Sequence, residues 1–326
     1  ARALAEKTLD NGDKVKPFIS ILIPTQGRID QLRRLLHSLS RLDGRENVEH
    51  EIIVCNNAPD DVKARSVEGI VKYYVAKEPK RWHLAREPLP GKSRALNKII
   101  PLSRGQILGF LDDDVEVNSS WLQATCNFFS HHSFDVMQGS ILIPPEMAGD
   151  EKFLRLLNRY RTICYYHKPG PEVREIRSLN AANIAFRREL LEKTGLFDER
   201  IGPGQSGTSM DVEFGERVLS KGGRIGYEPS SIVYHEVDWN RLTEDYFRLR
   251  HERQGRSRLV YKSSSLPTIM GDLIRATCIL GLYSLLNDER KKYRAKGRYF
   301  HYRAMLGEKI RRSAFRMRAG PGRTIT

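Results

Sequence analysis

The chain has 326 residues, 40% of them hydrophobic and 29% charged, with a net charge of +15. That balance excludes a disordered or fibrous protein and leaves room for one large α/β domain plus an extension. The charge is uneven: residues 241–326 hold 21 Lys and Arg against 7 Asp and Glu, so this region carries +14 and the first 240 residues only +1.

Residues 1–16 read as a charged extension. Phe18 to Ile23 is a near-continuous apolar run, as expected of a strand buried on both faces, and Pro24-Thr25-Gln26-Gly27 breaks it. Leu32, Leu35, Leu36, Leu39 and Leu42 then recur at helical spacing. Glu51 to Cys55 and Ile70 to Val75 read as the second and third strands. Leu96, Ile99 and Ile100 mark a helix after Gly91. Ile107 to Leu111 is a fourth strand that runs into Asp112-Asp113-Asp114, and Trp121, Thr125 and Phe128 mark the next helix. The alternation predicts a mostly parallel sheet with helices on both faces, in which ligands bind beyond the carboxyl ends of the strands. The turns after Ile23, Cys55 and Leu111 are therefore the first places to look for a site. Farther on, Asp135 to Ile143 and Ala182 to Phe186 read as strands, the second leading into a helix from Arg187. Residues 201–209 read as a mobile Gly/Ser-rich loop. A helix follows from about Asp211, with Val212, Gly215 and Leu219 on one side, and Ser231 to Tyr234 is the last core strand.

Three adjacent carboxylates at a strand end repel one another and need a cation or full solvation. In an extended chain Asp112 and Asp114 would point one way and Asp113 the other. Such a pair suits Mg²⁺ or Mn²⁺, hard ions that prefer oxygen ligands and share them with a diphosphate; the plain alternative is a solvated acidic turn. A calcium loop is excluded, because its sixth and twelfth positions would be Val117 and Gln123. Gly91-Lys92-Ser93 imitates the end of a P-loop, but Arg86 stands where the first glycine belongs, so the segment reads as a helix start with Ser93 near the cap. Asp211 is either a helix cap or a general base beside a flexible loop. His235, after the strand ending at Tyr234, is structural unless it converges on the aspartates.

The ordered set of Ile21-Leu22-Ile23-Pro24-Thr25, Gly91 to Asn97, Gly105 to Val115, Asn180 to Arg188, Gly195 to Glu199, Asp211 to Arg217 and Val233-Tyr234-His235 resembles the family 2 glycosyltransferases over roughly residues 17–238. The resemblance implies an α/β GT-A fold over 17–240 and metal-dependent, inverting transfer of a sugar from a nucleotide-diphospho sugar to a hydroxyl acceptor. It also implies site residues. Asp112, with Asp113 beside it, would contact the donor, Asp114 the metal, and His235 the metal or diphosphate. Thr25, Arg28, Asn56 and Arg94 would line the nucleotide pocket, and Asp211 would be the base. Three departures stand out: Asn56 in place of a common Asp, Met210 in place of a Glu, and Ala181-Ala182 in place of a Gly-containing pair. Trp121 reads as core. A nucleotidyltransferase would also use a carboxylate-held metal, but would need a glycine-rich phosphate loop after the first strand. A non-enzymatic polyanion-binding module would leave Asp112, Asp114, Asp211 and His235 unexplained as a set.

Residues 241–326 read as a basic, mainly helical region. Leu242, Tyr246 and Leu249 sit at helical spacing, and residues 266–287 form an apolar stretch interrupted by Asp272 and Arg275, poor material for a spanning helix. Beyond it Tyr293, Tyr299, Phe300 and Tyr302 interleave with Lys and Arg. This suits an anionic membrane surface or a helical subdomain with a solvated basic face; nucleic acid is the weaker partner, since no recognised motif accompanies the charge. Cys55, Cys126, Cys164 and Cys278 lack C-x-x-C spacing, which fits a reducing compartment. With no apolar leader-type segment, a cytoplasmic protein is expected, peripheral on the cytoplasmic face of a membrane if the basic region binds one. Asn118-Ser119-Ser120 then reads as a helix start rather than a glycosylation site.

Overall fold

A computed structural model describes residues 17–163 and 170–319. The expected extension at 1–16 and Cys164 lie outside the described residues. Strands β1 (Ile19–Thr25), β2 (His50–Asn56), β3 (Trp82–Arg86) and β4 (Ile107–Leu111) pair in parallel in the order β3-β2-β1-β4. Past β4 the sheet becomes mixed. Strand β8 (Asn183–Arg187) runs antiparallel to β4, β6 (Val136–Leu142) antiparallel to β8, and β9 (Ile225–His235) parallel to β6. Two short strands, β5 (Val115–Val117) and β7 (Arg174–Ile176), pair antiparallel with β9.

Alternation along the strands explains the double-sided core. Ile19, Ile21, Ile23, Ile52 and Val54 pack with helices α1 (Ile29–Leu39), α2 (Asp61–Lys77) and α4 (Trp121–His131). Their neighbours Leu22, Ile53, Cys55, Leu108 and Phe110 pack with α3 (Lys92–Ile99), α6 (Leu190–Thr194) and α7 (Met210–Ser220) on the other face. Each such side chain contributes about 1.5–3 kcal/mol of transfer free energy when fully buried, so both faces hold the strand ends rigidly in place.

Two expectations need correction. Ile70 to Val75 is not a strand but part of α2, whose N-cap Asp60 accepts from Lys63 N at 2.9 Å and whose Ala64, Val67 and Val71 are buried at helical spacing. The third strand is Trp82–Arg86, half-buried at the sheet edge and so weakly apolar. Helix α7 buries Met210, Glu213, Phe214, Gly215 and Val218, while Val212 is exposed. Ser93 lies near the start of α3, as expected; the cap is Gly91, at φ +145°, and Ser93 Oγ donates to Ile201 O at 2.8 Å.

Residues 241–319 add α8 (Glu244–Tyr261), α9 (Leu266–Leu285) and α10 (Glu289–Ala319). Helix α8 buries Phe247, His251 and Gly255, whereas Leu249 of the expected face is exposed. Helices α8 and α10 cross closely. A Cβ at Gly255 would lie 2.2 Å from His301 O, and one at Gly297 would lie 2.4 Å from His251 Nε2, so both positions require glycine. Phe247, with Tyr293 and Phe300 of α10, packs on Phe153 and Leu157 of α5 (Glu151–Arg159) and on Tyr160 just beyond it. Two of the interleaved aromatics thus serve packing.

Candidate active site

The carboxyl ends of the strands open onto a cleft of about 210 Å³. It is lined by Thr25 at the end of β1 and Arg28 after it, Asn57 after β2, Lys92 at the start of α3, Asp112, Asp113 and Asp114 after β4, and His235 at the end of β9. Because β4 ends at Leu111, the three aspartates lie in a turn, and strict strand alternation does not govern them. Two cations serve the three instead. Lys92 Nζ pairs with Asp112, and the Arg28 guanidinium pairs with Asp114 and reaches Asp113 at 3.4 Å. Thr25 Oγ1 donates to Asp113 at 2.6 Å. Burial pushes Asp113 up to about 6 against the pull of Arg28. Burial also works against ionised Asp114, but the hydrogen bond and charge of His235, followed by the charge of Arg28, hold its carboxyl well below the usual range. Lys92 is pushed up, since Asp112, Asp211 and Asp114 together outweigh its burial.

His235 does converge on the aspartates: its Nε2 lies 3.4 Å from Asp114 Oδ1. That oxygen is buried and has no closer hydrogen-bond donor among the described residues. Among the described residues no group of three or more His, Cys, Asp or Glu forms a ready metal cage. A hard divalent ion that draws most of its ligands from phosphate and water needs only one or two from the protein, so a carboxylate oxygen and an imidazole nitrogen at this separation fit one.

Two expected pocket residues do not line the cleft. Asn56 is fully buried, with its Nδ2 donating to Ala64 O at 2.9 Å and its Oδ1 accepting from Arg86 Nη1 at 2.9 Å. Arg94 faces Glu199 at 3.4 Å. Asp211 lies at the margin, in the first turn of α7, where Oδ2 accepts from Ala181 N at 3.1 Å and its charge is felt by Lys92. Trp121 is core, donating from Nε1 to Asn183 Oδ1 at 2.9 Å. Asn118 Oδ1 accepts from Ser120 N at 3.1 Å at the entry to α4.

The loop at 201–209 forms one wall through Pro203 and Gly207. It is tied down on both sides: Lys92 N donates to Pro203 O at 3.1 Å, Gln205 Nε2 to Pro90 O at 3.0 Å, and Ser257 Oγ of α8 to Ser206 O at 3.0 Å. Gly204, at φ +87°, passes so close that a Cβ would sit 2.9 Å from Gly91 N.

Sequence reasoning missed several lining residues. Asn57 holds the approach to α3, donating to Glu87 O and Leu89 O at 2.7 Å each and accepting from Gly91 N at 3.0 Å. More unexpected, the basic region reaches the cleft through Arg241, Tyr246, Arg250 and Arg253. The last three are spaced i, i+4 and i+7 on one face of α8, a signal readable in the sequence but hidden among many other arginines. A larger hollow of about 580 Å³ lies at the opposite ends of β1 and β4; the Arg187 and Arg188 guanidiniums that line it are committed to backbone carbonyls.

Residues 20–195 match the sequence model of glycosyl transferase family 2. The chain belongs to that family. It is 22% identical over 173 residues to the glucosyl-dolichyl phosphate glucuronosyltransferase of Haloferax volcanii, covering 52% of this chain and 55% of that protein. It is 23% identical over 236 residues to glycosyltransferase AglE of the same organism, covering 72% of each. It is 25% identical over 122 residues to the beta-monoglucosyldiacylglycerol synthase of Trichormus variabilis, covering 37% of this chain and 25% of that protein. The chain therefore spans only about half and a quarter of the first and last of these relatives. Among solved structures, it aligns with mannosyltransferase PcManGT from Pyrobaculum calidifontis, in complex with GDP-Man and Mn²⁺, at a TM-score of 0.55 and 17% identity, covering 94% of this chain and 77% of that one. It aligns with GalNAc-T7, with UDP, GalNAc and Mn²⁺, at 0.51 and 16%, covering 69% and 44%. These likenesses establish the α/β, GT-A-like fold with its mostly parallel mixed sheet and helical C-terminal region.

Proposed function

We propose that this family member moves a sugar from a nucleotide-diphospho donor to a hydroxyl acceptor, with a divalent ion and with inversion. The observation that carries the reading is the meeting of Arg28, Lys92, Asp112, Asp113, Asp114 and His235, drawn from separate elements, in one cleft at the carboxyl ends of the parallel strands. Asp114 and His235 would hold Mg²⁺ or Mn²⁺, an ion that offsets negative charge on a leaving diphosphate. Arg28 and Lys92, now paired with carboxylates, would turn toward phosphate oxygens once donor occupies the cleft. Asp112 would accept from a ribose or sugar hydroxyl, while Thr25 steadies Asp113. Asp211, anchored by Ala181 N, would take the proton from the acceptor hydroxyl. Attack opposite the leaving group inverts the anomeric centre through an oxocarbenium-like transition state, as in glycoside hydrolysis.

Arg241, Arg250 and Arg253 add positive charge to the same cleft, which supports a strongly anionic occupant. Two relatives are named for lipid-linked sugars, a glucosyl-dolichyl phosphate and a monoglucosyldiacylglycerol. By that analogy we take a lipid-linked or other carbohydrate acceptor here. The test is incubation with UDP- and GDP-sugars and Mn²⁺, preceded by a thermal-shift screen, since a donor that binds the native state raises its stability. Release of a nucleoside diphosphate supports the reading. Release of the sugar 1-phosphate, with the nucleoside monophosphate kept on the product, would replace it with nucleotidyl transfer.

A further inference from the structure

Helix α9 is built on one side for protein and on the other for something else. Over its 20 residues, only 11% of the most apolar stretch is buried. Ile269 and Ala276 are covered and point inward, toward the hairpin α9 forms with α10. Leu266, Met270, Ile274, Cys278, Leu282 and Leu285, spaced three or four apart, make one continuous stripe that faces outward. Ile274 is 62% and Leu285 87% exposed. Scattered exposed leucines need no explanation, but a contiguous apolar stripe along a helix of about 30 Å marks an interaction surface.

The surrounding charge says what covers it. Lys262 precedes the helix, Arg275 flanks the stripe, and Arg290, Lys291 and Lys292 follow it, within a region whose net charge is +14. A second copy of the chain would bring two such basic regions together, which like-charge repulsion opposes. An anionic bilayer offers both an apolar layer for the stripe and phosphates for the basic flank. Length and composition alone would let α9 cross a membrane. However, Asp272 and Arg275 lie near its middle, and its inner face is held against the Lys/Arg-rich α10, which cannot follow it into hydrocarbon. We infer that α9 lies in the plane of an anionic membrane surface, with its Leu266–Leu285 stripe inserted and the basic residues at its two ends on lipid phosphates. The inference rests on α9 and its flanks and is independent of the sugar-transfer reading.

The test is flotation of the 326-residue chain with vesicles of phosphatidylcholine alone and of phosphatidylcholine mixed with phosphatidylglycerol. Wild-type protein should float with the anionic vesicles, more weakly at high salt, and poorly with the neutral ones. Ile274→Glu and Leu285→Glu alter exposed side chains and should fold normally by circular dichroism. Each should weaken vesicle binding on the order of tenfold, as expected for keeping a large apolar side chain out of the bilayer. Leu102→Glu, an equal change at a 56% exposed leucine elsewhere, should leave binding intact. The inference is overturned if both α9 variants float like wild type, or if Leu102→Glu loses as much. Resistance of the bound protein to alkaline carbonate would replace the in-plane helix with a spanning one. Failure to float, together with a dimer by light scattering that Ile274→Glu dissociates, would replace the membrane with a second copy.

Discussion

Strands β1, β2 and β4 and helix α8 reach the same cleft by different physics. The parallel strands are fixed by two apolar layers, so the turns at their ends present Thr25, Arg28 and the Asp112–Asp114 triplet at defined positions. Helix α8, with α10 crossing it at Gly255 and Gly297, rests on a smaller cluster around Phe153, Tyr160 and Phe247, and with Arg241 it brings cations rather than carboxylates. One region supplies groups that can organise a cation and a reacting centre. The other supplies positive charge that can only attract and position. The division teaches that removing groups from the first should damage turnover, whereas removing groups from the second should damage binding or local stability.

The comparison is broken most severely at the proposed base. Asp211→Asn keeps the shape and the hydrogen bond from Ala181 N but cannot accept a proton. Turnover should fall by roughly 10²–10⁴-fold with little change in KM. Asp114→Ala should lower turnover by about 10³-fold, a loss of several kcal/mol, and abolish dependence on added Mn²⁺. Its melting temperature, measured alongside, should fall modestly, since the variant takes from Arg28 and His235 the carboxylate that they hold ionised. In the helical region the effect should be smaller and of another kind. Arg250→Ala or Arg253→Ala should raise the KM for a phosphate-bearing substrate by about ten- to a hundredfold, the scale of a charge-assisted hydrogen bond, with kcat nearly kept. An equal fall in kcat for those variants would erase the distinction drawn above.

The smallest effect concerns stability. Burial lowers both His251 and His301 to about 4 from an ordinary value of 6.5, and in His251 the charges of His301 and Arg250 add to it. Because the unfolded chain binds these protons first, their contribution is complete above about 6.5 and drains away as pH falls toward 4. Thermal melts across that interval should show a declining midpoint, with a shallower slope in His301→Asn. Equal slopes in the two proteins would count against the buried neutral pair.

Legibility in the sequence followed the same boundary. Ile19 to Thr25 and Ile107 to Leu111 were readable because strands buried on both faces are nearly all apolar. Trp82–Arg86 escaped because an edge strand is only half-buried. Ile70 to Val75, rich in β-branched and aromatic residues, imitates a strand until the Asp60 cap and the buried Val67 and Val71 impose a helix. The antiparallel run of β8 left no local trace, since direction is decided by tertiary pairing. Within the site, the triplet, Arg28, Thr25 and His235 were legible as motif pieces. Asn56 was not separable from Asn57, because which of two adjacent amides faces the cleft depends on where the chain leaves the sheet. Arg241, Arg250 and Arg253 were legible only as charge, because their role depends on α8 packing beside the 201–209 loop.

The central claim is that Asp114 and His235 hold the ion against which a nucleoside diphosphate departs. The most direct measurement is anomalous diffraction from crystals soaked with Mn²⁺ and UDP or GDP. The account predicts a manganese peak bound to the Asp114 carboxylate and His235 Nε2, with the diphosphate beside Arg28 and Lys92. A peak away from both residues, or a nucleotide bound outside this cleft, would contradict it.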